Sequence, residues 1–373
     1  MSSLTQSSSS ENLSSSENST NNERVWAPLD IPLKRRVQTA AVFLTFSMMG
    51  GSFALLVIAL FFPPMWLVLA LYFAWMVYDW KTPSSGGRSS ALVSRWRAFT
   101  APFFKHFAEY FPSSIEGTTP LDPDGVYCFA ISPHGFVGCS VWANILSEGS
   151  NAAQAARTKA DDDHEQDHLL QHPLRDIDFR AVTLKSNFFL PFWRDFISLQ
   201  GLCDCSKESF MACFNQKKSV VVVPGGAREA LYAKPSEEIK LVLARRKGFV
   251  RLSIQHGVSL VPIFSFGEND VYDQYDNSPG TFVRKIQDWI LATFGVALPM
   301  VKGRGIFNYA VGLLPHRKPL NMVIGRPIPT EKIENPTQQQ IDEVHKQYCD
   351  ELVRLFEENK KRFGYDQSTL KFI

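Results

Sequence analysis

Every residue from 37 to 78 is uncharged, and most are apolar. A helix of a soluble core would break such a run with charges on its water-facing side, so the stretch predicts a segment that meets a bilayer. Pro63-Pro64 divides it. Residues 37–62 are long enough as a helix to cross a hydrocarbon core of roughly 30 Å, and residues 65–78 are barely so. The tip, Phe61-Phe62-Pro63-Pro64-Met65-Trp66, carries no polar loop. Two spans and a hairpin buried in the membrane are therefore equally open, and we assign 37–80 as a transmembrane or re-entrant helical hairpin. Lys34, Arg35 and Arg36 precede it, and Lys81, Arg88, Arg95 and Arg97 follow. That distribution places both ends of the chain in the cytosol.

The segments on either side differ in kind. Residues 1–30 form a tail rich in Ser and Asn. It cannot bury enough surface to offset ordering entropy and is expected to be disordered. It lacks a charged start, so it is not a cleaved signal peptide. Residues 98–373 alternate strand-like and helix-like stretches, with strands expected at 126–131, 179–184, 220–223, 259–266 and 321–324. Helices are expected between them, one of them at 239–255. This alternation predicts an α/β domain with a mostly parallel sheet flanked by helices. The last helix is the clearest, because Thr337 and Gln340 match a capping box and Ile341, Val344, Tyr348, Leu352, Leu355 and Phe356 share one face. Residues from about 148 to 176 are polar and acidic and read as an insertion. The net charge of +2 gives no case for a nucleic-acid binder, which would usually show a strong basic stripe. The cysteines show no CxxC spacing and no secretory framework, so reduced thiols facing the cytosol are expected.

Two motifs carry chemistry. Ser132-Pro133-His134-Gly135 puts a lone histidine on a turn just after a strand, and Gly225-Gly226-Ala227-Arg228-Glu229 puts a carboxylate on a glycine turn just after another. Turns at strand ends of an α/β sheet face the open crevice, where a His base and an orienting carboxylate could meet. The bland alternatives are a structural histidine and a helix-capping acid. Backbone N–H groups near Gly135 or Gly225-Gly226 are candidate oxyanion donors. The cluster Arg245-Arg246-Lys247 with Arg251 reads either as a solvated helix face or as a phosphate site. The block around Phe192 and Arg194 reads either as core with a salt-bridging Arg or as an apolar substrate wall. His164-Glu165-Gln166-Asp167-His168 formally matches a zinc-peptidase motif, but its acidic setting makes it a solvated loop, and no metal is expected.

In this order the blocks resemble the second family of diacylglycerol acyltransferases, which includes monoacylglycerol and wax-alcohol acyltransferases. Further shared blocks are Tyr110-Phe111-Pro112, Pro191-Phe192-Trp193-Arg194-Asp195, Phe266-Gly267-Glu268-Asn269 and Gly325-Arg326-Pro327-Ile328. The resemblance implies an enzyme of the endoplasmic reticulum membrane and lipid droplets that acylates diacylglycerol with acyl-CoA as substrate and uses no cofactor. That supports His134 as the general base, and Glu229 on its glycine turn is the candidate for its orienting partner. Phe192, Arg194, Arg245, Arg246, Lys247 and Arg251 are assigned to acyl-CoA or substrate. Membrane lipid is the other partner, and a homo-oligomer is left open. The family's usual motif has His where this chain has Ser132, so the role of Ser132 is open, a nucleophile included. A monoacylglycerol or wax-alcohol acyltransferase and an inactive membrane scaffold are the alternative functions.

Overall fold

The computed structural model describes residues 26–28, 30–147, 173–174 and 176–373. Nearly all of the expected disordered tail and of the polar insertion, including His164, Glu165 and His168, lies outside the described residues.

The uncharged run forms helices α1 (Leu33–Leu60) and α2 (Trp66–Tyr78), joined at Pro63–Met65 by a single 3-10 turn. Pro cannot continue α1 but is accepted in the first turn of a new helix. Among the described residues, α1 alone is long and apolar enough to cross a membrane. α2 has 13 residues, a rise of about 20 Å that falls short of a hydrocarbon core. Burial is divided along α1. Gln38, Ala41, Val42 and Thr45 are covered, and this half packs along α3 (Ser90–Tyr110), whereas Met49, Phe53, Leu55 and Ile58 are exposed, as is most of α2.

The remaining elements, in chain order, are β1 (Ser114–Gly117), β2 (Tyr127–Ser132), β3 (Phe179–Thr183), α4 (Trp193–Leu199), β4 (Leu202–Asp204), α5 (Lys207–Asn215), β5 (Ser219–Val222), α6 (Gly226–Ala230), β6 (Glu238–Leu241), α7 (Gly248–His256), β7 (Ser259–Phe266), β8 (Asp273–Gln274), α8 (Phe282–Phe294), β9 (Val301–Lys302), β10 (Asn321–Ile324), α9 (Gln338–Asn359) and β11 (Thr369–Phe372). All five expected strands are present. The helix expected at 239–255 is not one element. Its first part is β6, paired in parallel with β11, and α7 starts only at Gly248. Ile239, Leu241 and Leu243 repeat every second residue and all three are buried, the signature of a strand. The capping box at Thr337 and Gln340 is formed.

Seven strands make one sheet in the order β1-β10-β7-β2-β5-β3-β4, parallel except where β10 meets β7. β2 is central and buried at every position, as a strand covered on both faces must be. Cys128 and Ala130 face a core built with α7 and α9, while Tyr127, Phe129 and Ile131 face a second core on the opposite side. β5 and β7 flank β2 and run parallel to it. The turns after these three strands therefore open at the same edge of the sheet, where a crevice forms.

Candidate active site

The turn after β2 carries His134. It leaves the strand through a cis Ser132-Pro133 peptide and bends at Gly135, whose φ is +64°. A carboxylate grips this turn from each neighbouring strand. Glu229, on α6 after β5, accepts hydrogen bonds from the His134 amide at 2.6 Å and, with its other oxygen, from the Val242 amide at 2.6 Å. Glu268, after β7, accepts from the amides of Cys139 at 2.9 Å and Ser140 at 2.7 Å. Both carboxylates are buried. Burial pushes each carboxyl up to about 7, against the pull of the amides it accepts from. Glycine is required at two of the contacts. A Cβ on Gly135 would overlap Glu268 Oε1, and one on Gly225 would overlap Glu229 Oε2.

The imidazole of His134 is half-buried, and its Nδ1 lies 3.0 Å from the Gly135 carbonyl oxygen. A carbonyl only accepts, so Nδ1 carries the proton and Nε2 keeps its lone pair. Burial also lowers the pKa of the ring, which keeps it neutral at pH 7. Glu229 thus reaches the His134 turn as expected, but its contact is with the peptide rather than the ring. The ring is oriented by the carbonyl of the next residue.

Two cavities meet at the site. The first, about 380 Å³, has His134 on its wall. Its lining is otherwise largely apolar and runs from Thr45, Phe46 and Met49 of α1, past Val137, Trp142 and Trp193, to Val296. The second, about 990 Å³, is cationic, with Lys207, Arg228, Arg245, Arg246 and Lys247 around the N-terminal end of α7 at Gly248. Leu184, Cys205, Val222, Val223, Gly226 and Ala227 line both, so the cavities adjoin across the turn after β5.

Not every predicted residue falls here. Arg251 is exposed on α7 and lines neither cavity. Phe192 and Arg194 also lie outside both, and they fasten the hairpin to the sheet domain. The Phe192 ring stacks on Tyr72 of α2 at 4.7 Å, and the Phe192 amide donates to the Tyr72 hydroxyl. Arg194 is buried and donates to the carboxylate and carbonyl of Asp79, both at 3.1 Å. Only Trp193 of that block reaches the apolar cavity. Ser132 is buried beside Tyr348 and lines neither cavity. Glu268 stands in one of the shared blocks but was given no role from the sequence. An acid on a glycine turn after a strand, the signal that marked Glu229, is equally present at Gly267-Glu268.

An apolar cavity with His134 on its wall adjoins a cationic one at the carboxyl edge of a mostly parallel sheet, an arrangement that suits an α/β acyltransferase. The family described as Diacylglycerol acyltransferase matches residues 58–161 and 165–372, and the chain belongs to that family. It is 36% identical to a diacylglycerol O-acyltransferase 2B of Umbelopsis ramanniana, over 92% of this chain and 93% of that one. A 2-acylglycerol O-acyltransferase 1 of Mus musculus is 36% identical over 93% of this chain and 98% of its own. An acyl-CoA wax alcohol acyltransferase 2, also of Mus musculus, is 33% identical over 82% of this chain and 86% of its own.

Proposed function

We propose that the protein is an acyl-CoA:diacylglycerol O-acyltransferase that makes triacylglycerol by direct transfer, with His134 as general base. The observation that carries this reading is the placement of His134, with Nδ1 bonded to Gly135 and Nε2 unprotonated, on the wall of the apolar cavity that adjoins the cationic one. Fatty acyl chains belong in the apolar cavity. The phosphates of acyl-CoA belong in the cationic one, where Arg245, Arg246 and Lys247 stand beside the N-terminus of α7.

In this mechanism Nε2 of His134 takes the proton of the acceptor hydroxyl as its oxygen attacks the thioester carbonyl. The tetrahedral adduct collapses by breaking the carbon–sulfur bond. The leaving thiolate of coenzyme A then takes the proton back from the imidazolium, so no acyl-enzyme forms. Glu229 and Glu268 act on the peptide that presents the ring and are positioning residues. Ser132 as nucleophile has no support, because its hydroxyl is buried outside both cavities.

The names of the relatives support acyl transfer to diacylglycerol, monoacylglycerol or a wax alcohol. Within that set, acceptor choice rests on the shape of the apolar cavity. An inactive scaffold is disfavoured by family membership together with the formed His134 turn. The reading extends to an endoplasmic reticulum and lipid-droplet protein with both termini cytosolic. Its hairpin is re-entrant rather than two full spans, since α2 is too short to cross. The test is expression in a host lacking neutral-lipid synthesis, followed by membrane assays with labelled acyl-CoA and a panel of acceptors. Triacylglycerol formation is the expected result. Wax ester or diacylglycerol as the main product would transfer the assignment to a sister activity, and no product would overturn it.

A further inference from the structure

Helix α8 is amphipathic in the wrong sense for a helix facing water. Two of its polar residues, Arg284 and Gln287, are buried against the protein, while Lys285 and Asp288 are exposed. Arg284 donates to Tyr232 at 2.8 Å and to Asp288 at 3.0 Å, and Gln287 donates to the Leu298 carbonyl at 3.1 Å. Its outward stripe is apolar instead. Phe282, Ile286 and Trp289, at i, i+4 and i+7, are 76%, 41% and 62% exposed. The chain continues the same surface through Val296, Leu298 and Met300, all exposed. An outward apolar surface of this extent needs a partner.

The position of α8 identifies that partner. Asp288 and Leu291 line the cationic cavity, while Val296 lines the apolar one together with Met49 of α1. Met49 begins the exposed, apolar part of α1. The patch and the hairpin therefore border one cavity and form neighbouring parts of one apolar rim. Lys285, exposed next to Ile286, supplies the kind of cation that snorkels to lipid headgroups.

We propose that α8 and residues 296–300 are a second membrane contact. They lie in the interface of the leaflet that holds the hairpin, and the lipid acceptor reaches His134 through the cavity that Met49 and Val296 border. This rests on the membrane acyltransferase reading above and adds to it the route by which the acceptor arrives.

The test is photo-crosslinking of the full chain in phosphatidylcholine nanodiscs containing diacylglycerol, with benzoylphenylalanine placed singly at Phe282, Leu298, Phe61 and Glu343. Phe61 is at the hairpin tip, and Glu343 is exposed on α9. Lipid adducts at positions 282 and 298 as well as 61, and none at 343, are expected. Adducts at 61 without adducts at 282 and 298 overturn the second contact and leave the hairpin standing. No adduct at 61 sinks the membrane reading and this proposal together. A kinetic measurement reports separately. Ile286→Asp should raise the KM for bilayer-borne diacylglycerol severalfold and leave the KM for acyl-CoA in place. An equal rise in both would mean a distorted cationic cavity and would also overturn the route.

Discussion

Glu229→Gln separates positioning from stability. The carboxylate accepts two amide hydrogen bonds, one on each oxygen, from His134 and Val242. Glutamine has the same shape but one acceptor oxygen, and its amide nitrogen would face a backbone donor. The His134 amide then exchanges a charge-assisted bond for a neutral one or for none, a loss of about 1–2 kcal/mol in holding the turn. If that loss falls on the arrangement of the turn that presents His134, turnover drops roughly 5- to 30-fold. Stability moves the other way. Burial raises the Glu229 carboxyl from 4.5 to about 7. Its favourable contribution is complete below the unfolded value and is lost as the pH rises through about 7. At pH 8 the buried charge therefore weighs against the fold, and a neutral glutamine relieves it. The expected result at pH 8 is lower kcat, little change in the KM for acyl-CoA, and a Tm equal to or above that of the wild type. Wild-type turnover should also fall as the pH drops below about 7, and the variant should lack that limb. Unchanged kcat at pH 8, or a lost rate that only follows a lowered Tm, would refute the positioning role.

Four further outcomes are expected. His134→Ala should reduce acyl transfer by roughly 10²- to 10⁴-fold with membrane-bound protein at wild-type level, read by product formation against an immunoblot. Ser132→Ala should stay within a few-fold of wild type, because at most one neutral hydrogen bond, to Tyr348, is lost at on the order of 1 kcal/mol, and no labelled acyl group should remain on denatured protein. Gly135→Ala should lose both activity and Tm, since the left-handed φ alone costs about 1–2 kcal/mol and the new Cβ also meets Glu268. Replacing Arg245 and Arg246 together with Ala should raise the KM for acyl-CoA roughly 30-fold, at on the order of 1 kcal/mol per lost phosphate contact, and should leave a pantetheine thioester without nucleotide phosphates unaffected.

Where local pattern decides structure, it was readable in advance. The capping box at Thr337, the strand runs and the uncharged hairpin are properties of neighbouring residues, and each is present in the fold. The stretch 239–255 failed because a periodicity of two in Ile239, Leu241 and Leu243 was hidden by the helical residues after it, and its strand partner lies far away at 369–372. The cationic cluster at 245–247 was legible by composition alone. Whether it faced solvent or a cavity was not, and Arg251, a few residues on, shows how little spacing says about that. For Phe192 and Arg194 spacing likewise could not choose between core and substrate wall, since their partners Tyr72 and Asp79 sit in and just after the hairpin.

The order of amino acids by itself determined the apolar hairpin, the parallel α/β alternation and the histidine and glycine turns, because each depends on residues within a few positions of one another. The sheet order was decided only in three dimensions. By setting β5 and β7 on either side of β2, it brings Glu229 and Glu268, 95 and 129 residues downstream of the atoms they bind, onto one turn. Tertiary packing likewise made α1 a wall of the apolar cavity and gave the ring of His134 a carbonyl rather than a carboxylate as its partner. Sequence pattern can name a base and an acid, but hydrogen-bond geometry over those separations is set by strand neighbours, which no local signal records.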